Sequence, residues 1–148
     1  VRSIVGEIVS NSESVTVMDM EASIEHMSRG TVRYADVLLV VLEPYYRSME
    51  TAGRTAPLAR ALGIKRIYGI ANKLRGASDA EAVEAYCRNH ELELIARIPF
   101  DENVTEADRI GRAVIDYDAR SPIVKELSRT AGFLLRGAPA SGNGTGGN

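Results

Sequence analysis

Short apolar runs separated by helix-periodic segments constrain this chain more than any other feature. The clearest run is Val37–Leu42, VLLVVL, made only of valine and leucine. A strand with one wet face alternates, so a continuous run of this kind suits burial on both faces, as in a parallel sheet. Val15–Met18 is a shorter strand candidate that leads into Asp19. Arg66–Ala71 is a third, followed by Asn72 and a loop, and Leu92–Ile98 is a fourth that stops at Pro99.

Helical patterns fill the intervals. Met49, Ala52, Ala56, Ala59 and Leu62 share one stripe that ends near Gly63, where a left-handed cap is expected, and Pro57 should kink or break that helix. Ser78 with Glu81 reads as a capping box for a helix whose apolar face is Val83, Tyr86, Cys87 and His90. Asn103 is placed to cap a helix carrying Val104, Ala107 and Ile110. Ser121 and Pro122 open a last helix with Val124, Leu127, Ala131 and Leu134 as its buried stripe and Gly137 at its end. The alternation implies an α/β fold, a parallel sheet with helices on both faces, in one domain over residues 1–136. The Gly, Ala, Ser and Asn tail over 137–148 is expected to be disordered, and its GNGTGG stretch has neither the lysine nor the following helix of a phosphate loop. Val1, Ile4, Val5 and Ile8 fall at helical spacing, so the chain opens as though already inside a helix. An unusual start codon, processing and truncation would all give that appearance.

The formal charge of -2 and pI near 5.8 supply no basic field for nucleic acid and no polybasic patch for an anionic membrane. Val37–Leu42 is far too short to span a bilayer, and no secretory signal pattern opens the chain, so a cytoplasmic protein is expected. A single cysteine, Cys87, excludes an internal disulfide and a multi-cysteine metal site within one chain.

Ligands of open α/β sheets bind beyond the carboxyl ends of the strands, which directs attention to Asp19, Glu43, Asn72 and Asp101. Two roles suit such a set in a metal–nucleotide site: a carboxylate for Mg²⁺ and an amide for a purine edge. Strand ends are also polar for solvation alone, so the pattern by itself leaves both readings open. Cys87 on an apolar helix face reads as a buried structural thiol, and His90 as a helix-end residue. Tyr45 and Tyr46, after Pro44, are either a partner surface or partly packed. His26, near Glu21 and Glu25, is either a nickel or zinc ligand or part of a solvated helix.

Several ordered blocks carry a more specific signal. Asp19-Met20-Glu21-Ala22-Ser23-Ile24-Glu25-His26 with Arg29-Gly30-Thr31 resembles the switch II segment of the ATPases that insert nickel into carbon monoxide dehydrogenase. These belong to the MinD/ParA and nitrogenase iron protein superfamily. Val40-Val41-Leu42-Glu43-Pro44 with Arg47-Ser48-Met49-Glu50-Thr51 is similar to the group's next block. Ile98-Pro99-Phe100-Asp101-Glu102-Asn103-Val104 with Val114-Ile115-Asp116-Tyr117-Asp118 is similar to its carboxyl-terminal nucleotide-base region. The resemblance runs to about Leu135 and implies a P-loop NTPase fold of the MinD-like (SIMIBI) class, amino-terminally incomplete.

The resemblance further implies ATP or ADP with Mg²⁺ as ligands. Asp19 would be the acid that reaches Mg²⁺ through water, and Glu21 would lie in a switch, Glu21–Thr31, that senses the γ-phosphate. Asn72, with Lys73 beside it, would contact the adenine edge, and Pro99, Phe100 and Asp101 would border the base. It also implies a homodimer, nickel or zinc as the metal handled, and a metalloenzyme client such as carbon monoxide dehydrogenase. Two departures accompany it. Ser23 stands where the family has a flexible glycine. No Gly-Lys-Ser or Gly-Lys-Thr occurs in the 148 residues, and the family's paired zinc-binding cysteines are absent as well, so this chain by itself is expected not to hydrolyse ATP. A non-catalytic binding or regulatory module of the same fold is the alternative. A positioning ATPase of the MinD/ParA kind is disfavoured for want of an amphipathic membrane helix or a basic DNA surface. The implied phosphate-loop strand would lie between the Val15 and Val37 strands. Without it the two must re-pair or another polypeptide must fill a slot of roughly 9 to 10 Å, and the isolated chain is expected to be aggregation-prone.

Overall fold

The computed structural model describes residues 15–20 and 35–137. Within it the elements run β1 (Val37–Leu42), α1 (Tyr46–Ala61), β2 (Arg66–Leu74), α2 (Ala77–Asn89), β3 (Glu93–Pro99), α3 (Glu102–Arg109), α4 (Val114–Tyr117) and α5 (Pro122–Arg136). The sheet order is β1-β2-β3, with both pairs parallel. Because both crossovers advance in one direction, α1 and α2 lie on the same face of the sheet. The chain then reverses, and α5 packs on the other face against β3.

Register explains the burial. Val40 and Leu42 pair with Gly69 and Ala71 and point toward α1 and α2, where they join Ala52, Ala56, Val83, Cys87 and Leu92 in the main core. Val41 pairs with Ile70, which faces Ala96, Ile98 and Ile123 of the second layer. Alanines at 52, 56 and 59 let α1 approach the sheet closely, and Gly53 serves the neighbouring contact, since an added Cβ there would overlap the Tyr86 hydroxyl and the His90 ring. Pro57 does not break α1, so of the two sequence expectations, a kink or a break, the break does not occur. The helix is continuous from Tyr46 to Ala61 with Pro57 exposed, and the residue four positions before it, whose carbonyl loses its partner, is Gly53. Gly63 ends the segment at φ +91.

Other expectations shift by a few residues. The helix from Ala77 has no side-chain N-cap. Asp79 instead accepts from the Arg75 N–H at 2.9 Å, so the Ser78–Glu81 capping box does not form. Asp101, not Asn103, caps α3, because Asp101 is still extended as the chain leaves β3 and its Oδ1 accepts from the Asn103 N–H. Ser121 caps α5 as expected, accepting from Val124 N–H. The buried stripe of α5 is Ile123, Val124 and Thr130, whereas Leu127 and Ala131 face outward. Thr130 is tolerated inside because its hydroxyl donates to the Glu126 carbonyl. Cys87 is buried, and burial pushes its thiol pKa up, as suits a structural thiol.

Val15–Met18 forms no strand. Residues 15–20 carry no regular structure, and Val15 and Val17 are exposed. A strand requires a ladder partner, and β1 pairs only with β2 among the described residues, so direct re-pairing of the Val15 and Val37 segments does not occur. The opening helix, the Glu21–Thr31 switch with Ser23 and His26, and the tail beyond Gly137 lie outside the described residues.

The two sheet edges differ. On β3, Glu126 accepts from the Arg97 N–H at 3.0 Å and Arg129 donates to the Ile95 carbonyl at 2.9 Å, so side chains of α5 occupy that edge. Arg129 also pairs with Glu126 at 2.6 Å and, chiefly by that hydrogen bond, holds the Glu126 carboxyl below its usual pKa. A lowered folded-state pKa contributes stability above the ordinary glutamate range that is lost as pH falls through the lowered value. The melting temperature of Glu126→Gln should therefore fall below that of the wild type at neutral pH, and the gap should close as pH drops below about 4. A gap that persists in acid would contradict this.

Candidate functional site at the carboxyl edge

The carboxyl ends of the three strands gather most of the residues singled out from sequence. β2 runs three residues past its expected end, through Asn72 and Lys73 to Leu74, so these two sit on the strand and not in a loop. They occupy a register irregularity between Ala71 and Leu74, and Lys73 takes a left-handed conformation, φ 57. Lys73 Nζ lies 3.0 Å from Glu43 Oε1 at the end of β1. The Lys73 N–H donates to Asn72 Oδ1 at 3.0 Å, and the Glu43 N–H donates to Ser48 Oγ at 2.8 Å.

Beside this corner, an open cleft of about 530 Å³ is lined by Leu74, Arg75, Gly76, Arg97, Pro99, Phe100 and Glu102. The Arg75 guanidinium lies 3.9 Å from the centroid of the Phe100 ring, and Phe100 N–H donates to the Leu74 carbonyl at 2.8 Å, which fixes the floor. Pro99 and Phe100 are thus in the cleft. Asp101 adjoins it with its carboxylate committed to capping α3, and Asn72 and Lys73 lie just before Leu74 on the same strand. Arg75, Gly76 and Glu102 were not singled out from sequence. The signal for Arg75 and Gly76 was the short, polar Lys-Leu-Arg-Gly link from Lys73 to Gly76, concealed by the assumption that β2 ends at Ala71.

Asp19 is not part of this cluster. It is exposed, and its neighbour Met20 packs against the Ala59–Ile64 cluster, as do Leu38 and Ile67 near the amino ends of β1 and β2. Among the described residues, no group of three or more His, Cys, Asp or Glu side chains is placed to hold a metal ion. Mg²⁺ in nucleotide sites makes smaller demands, since it keeps several waters and takes one or two carboxylates with the phosphates, and a single acid such as Asp19 fits that chemistry. No helix among the described residues is long and apolar enough to cross a membrane. Tyr45 and Tyr46, beside the corner, are exposed.

No protein-family model matches the chain. Among curated proteins it is similar to the carbon monoxide dehydrogenase accessory protein CooC of Rhodospirillum rubrum, with 38% identity over 144 residues, 96% of this chain and 53% of that protein. It is also similar to two uncharacterised ATP-binding proteins of Methanocaldococcus jannaschii. One is 32% identical over 91% of this chain and 51% of its own length, the other 30% identical over 90% and 53%. The chain therefore spans about half the length of the curated relatives it matches. Among solved structures, a chain of the MinC:MinD cell division protein complex of Aquifex aeolicus aligns with TM-score 0.77 and 22% identity over 96% of this chain and 60% of that one. A structure of MinD from the same organism aligns with TM-score 0.63 and 22% identity over 77% and 50%.

Proposed function

Because the chain belongs to the superfamily that contains CooC and the MinD/ParA proteins, we propose that it is the base-binding part of an ATP-dependent accessory protein for metallocentre assembly. The observation that carries this reading is the cleft at the carboxyl edge of β2 and β3, with a flat Arg75–Phe100 stack as its floor, in a chain similar to CooC almost from end to end. An aromatic base would lie against that stack, Asn72 would meet its polar edge, and the main chain of Pro99 to Asp101 would border it. Asp19 would hold Mg²⁺ through water, and Glu21 would belong to the segment that responds to the γ-phosphate. Phosphate-binding groups would come from polypeptide outside these 148 residues. In keeping with the resemblance, the assembly would be a homodimer acting in the cytoplasm, with nickel as cargo and carbon monoxide dehydrogenase as client.

Asn72→Ala tests the base contact. In the product of the whole open reading frame, loss of a paired amide should weaken Mg-ATP binding about tenfold, measured by competition with a fluorescent ATP analogue. Unchanged affinity would remove Asn72 from the site. A second reading is a partner-binding module of the same fold without turnover. Pull-downs whose partners do not change with ATP would favour that module.

A further inference from the structure

At the carboxyl edge, three features meet at one residue. Lys73 lies in the register irregularity of β2, it is one of two non-glycine residues with positive φ among the described residues, and its ammonium group pairs with Glu43 on the neighbouring strand. The left-handed region is unfavourable for a lysine, so something must hold it there. Stability alone does not explain the pairing, because Lys73 is 56% exposed and exposed ion pairs contribute little. The consequence of the conformation is local. Between Ala71 and Leu74, both held in the ladder, the Asn72–Lys73 peptide turns as a unit, so the positive φ of Lys73 goes with an N–H turned to Asn72 Oδ1, which engages the oxygen of that amide and leaves its NH₂ group as the donor.

Glu43 is itself tied down, since its N–H donates to Ser48 Oγ at the start of α1. We infer that Glu43 is a positioning residue: by holding Lys73 Nζ it keeps Lys73 left-handed and so aims the Asn72 amide at an acceptor nitrogen of the nucleotide base, without touching the nucleotide itself. This rests on the nucleotide-site reading above and adds a residue to it. It also gives the bulge a purpose, since re-aiming a side chain beside a site is what bulges do.

The test uses the product of the whole open reading frame and Mg-ATP competition with a fluorescent ATP analogue. Glu43→Gln should weaken binding about tenfold, the loss expected for one misdirected hydrogen bond, with the melting temperature unchanged. Glycine adopts positive φ without assistance, so in a Lys73→Gly background the same Glu43→Gln change should alter affinity less than about twofold. Wild-type affinity in Glu43→Gln, alongside weakened binding in Asn72→Ala, would overturn the inference and leave the nucleotide site standing. An undiminished loss in the Lys73→Gly background would also overturn it, by showing that Glu43 acts other than through Lys73. No binding of ATP by the wild type would overturn both.

Discussion

Leu42→Ala should destabilise the chain by about 3 kcal/mol, within the range for a buried leucine truncated where the surroundings cannot collapse. Leu42 is fully buried in a core cluster that both crossover helices and β2 help to build. With domain stabilities of about 5–15 kcal/mol, that loss is large enough to lower the melting temperature by about 10 °C. Leu39 is the matched control, for it is the same residue type on the same strand but points to the opposite face and is 37% exposed. Leu39→Ala should cost less than about 1 kcal/mol. Thermal and urea melts of the two variants check the assignment of faces, and equal losses would mean that the register of β1 is wrong.

Asp19→Asn should abolish Mg²⁺-dependent ATP hydrolysis by the product of the whole open reading frame, with at least about a hundredfold loss of turnover. An amide keeps the size of the side chain and removes the charge that, in the proposed role, would orient the metal's water. Binding should survive within a few-fold, because in that role the carboxylate would touch neither base nor phosphate. On the proposed reading, a phosphate-loop strand paired with β1 would give Val15–Met18 a ladder partner and carry Asp19 to the carboxyl edge. Single-turnover measurements decide the matter, and full turnover by Asp19→Asn would remove the residue from its role. Asp108→Asn, an exposed change on α3, serves as the control for a generic loss of charge.

The parts of this fold that were legible in the sequence are those set by local pattern. The VLLVVL run, the alanine stripe of α1 and the Ser-Pro opening of α5 each act through a few consecutive residues, and each is found where expected. What was missed depends on partners distant in sequence. Val15–Met18 has strand composition, but composition supplies no ladder. Asp101 and Asn103 are both competent caps, and the choice between them is made by the extended backbone at the exit from β3. The stripe of α5 turned because Ile123 meets Ile70, Ala96 and Ile98 in the second layer, and helical periodicity does not specify that encounter. The strand-end rule named Asp19, Glu43, Asn72 and Asp101, of which the last three lie at the carboxyl edge and Asp19 does not. The Glu43–Lys73 pair and the Arg75–Phe100 stack needed the true end of β2 and the folding of three strands side by side.

The most direct measurement of the central claim is photolabelling of the whole-frame product with 8-azido-ATP and Mg²⁺, followed by peptide mapping. If the carboxyl-edge cleft receives the base, label should fall on peptides carrying Asn72–Gly76 or Pro99–Asn103, and unlabelled ATP should protect them. Label confined to other peptides, with the same protection by ATP, would contradict the assignment of this edge as the base site.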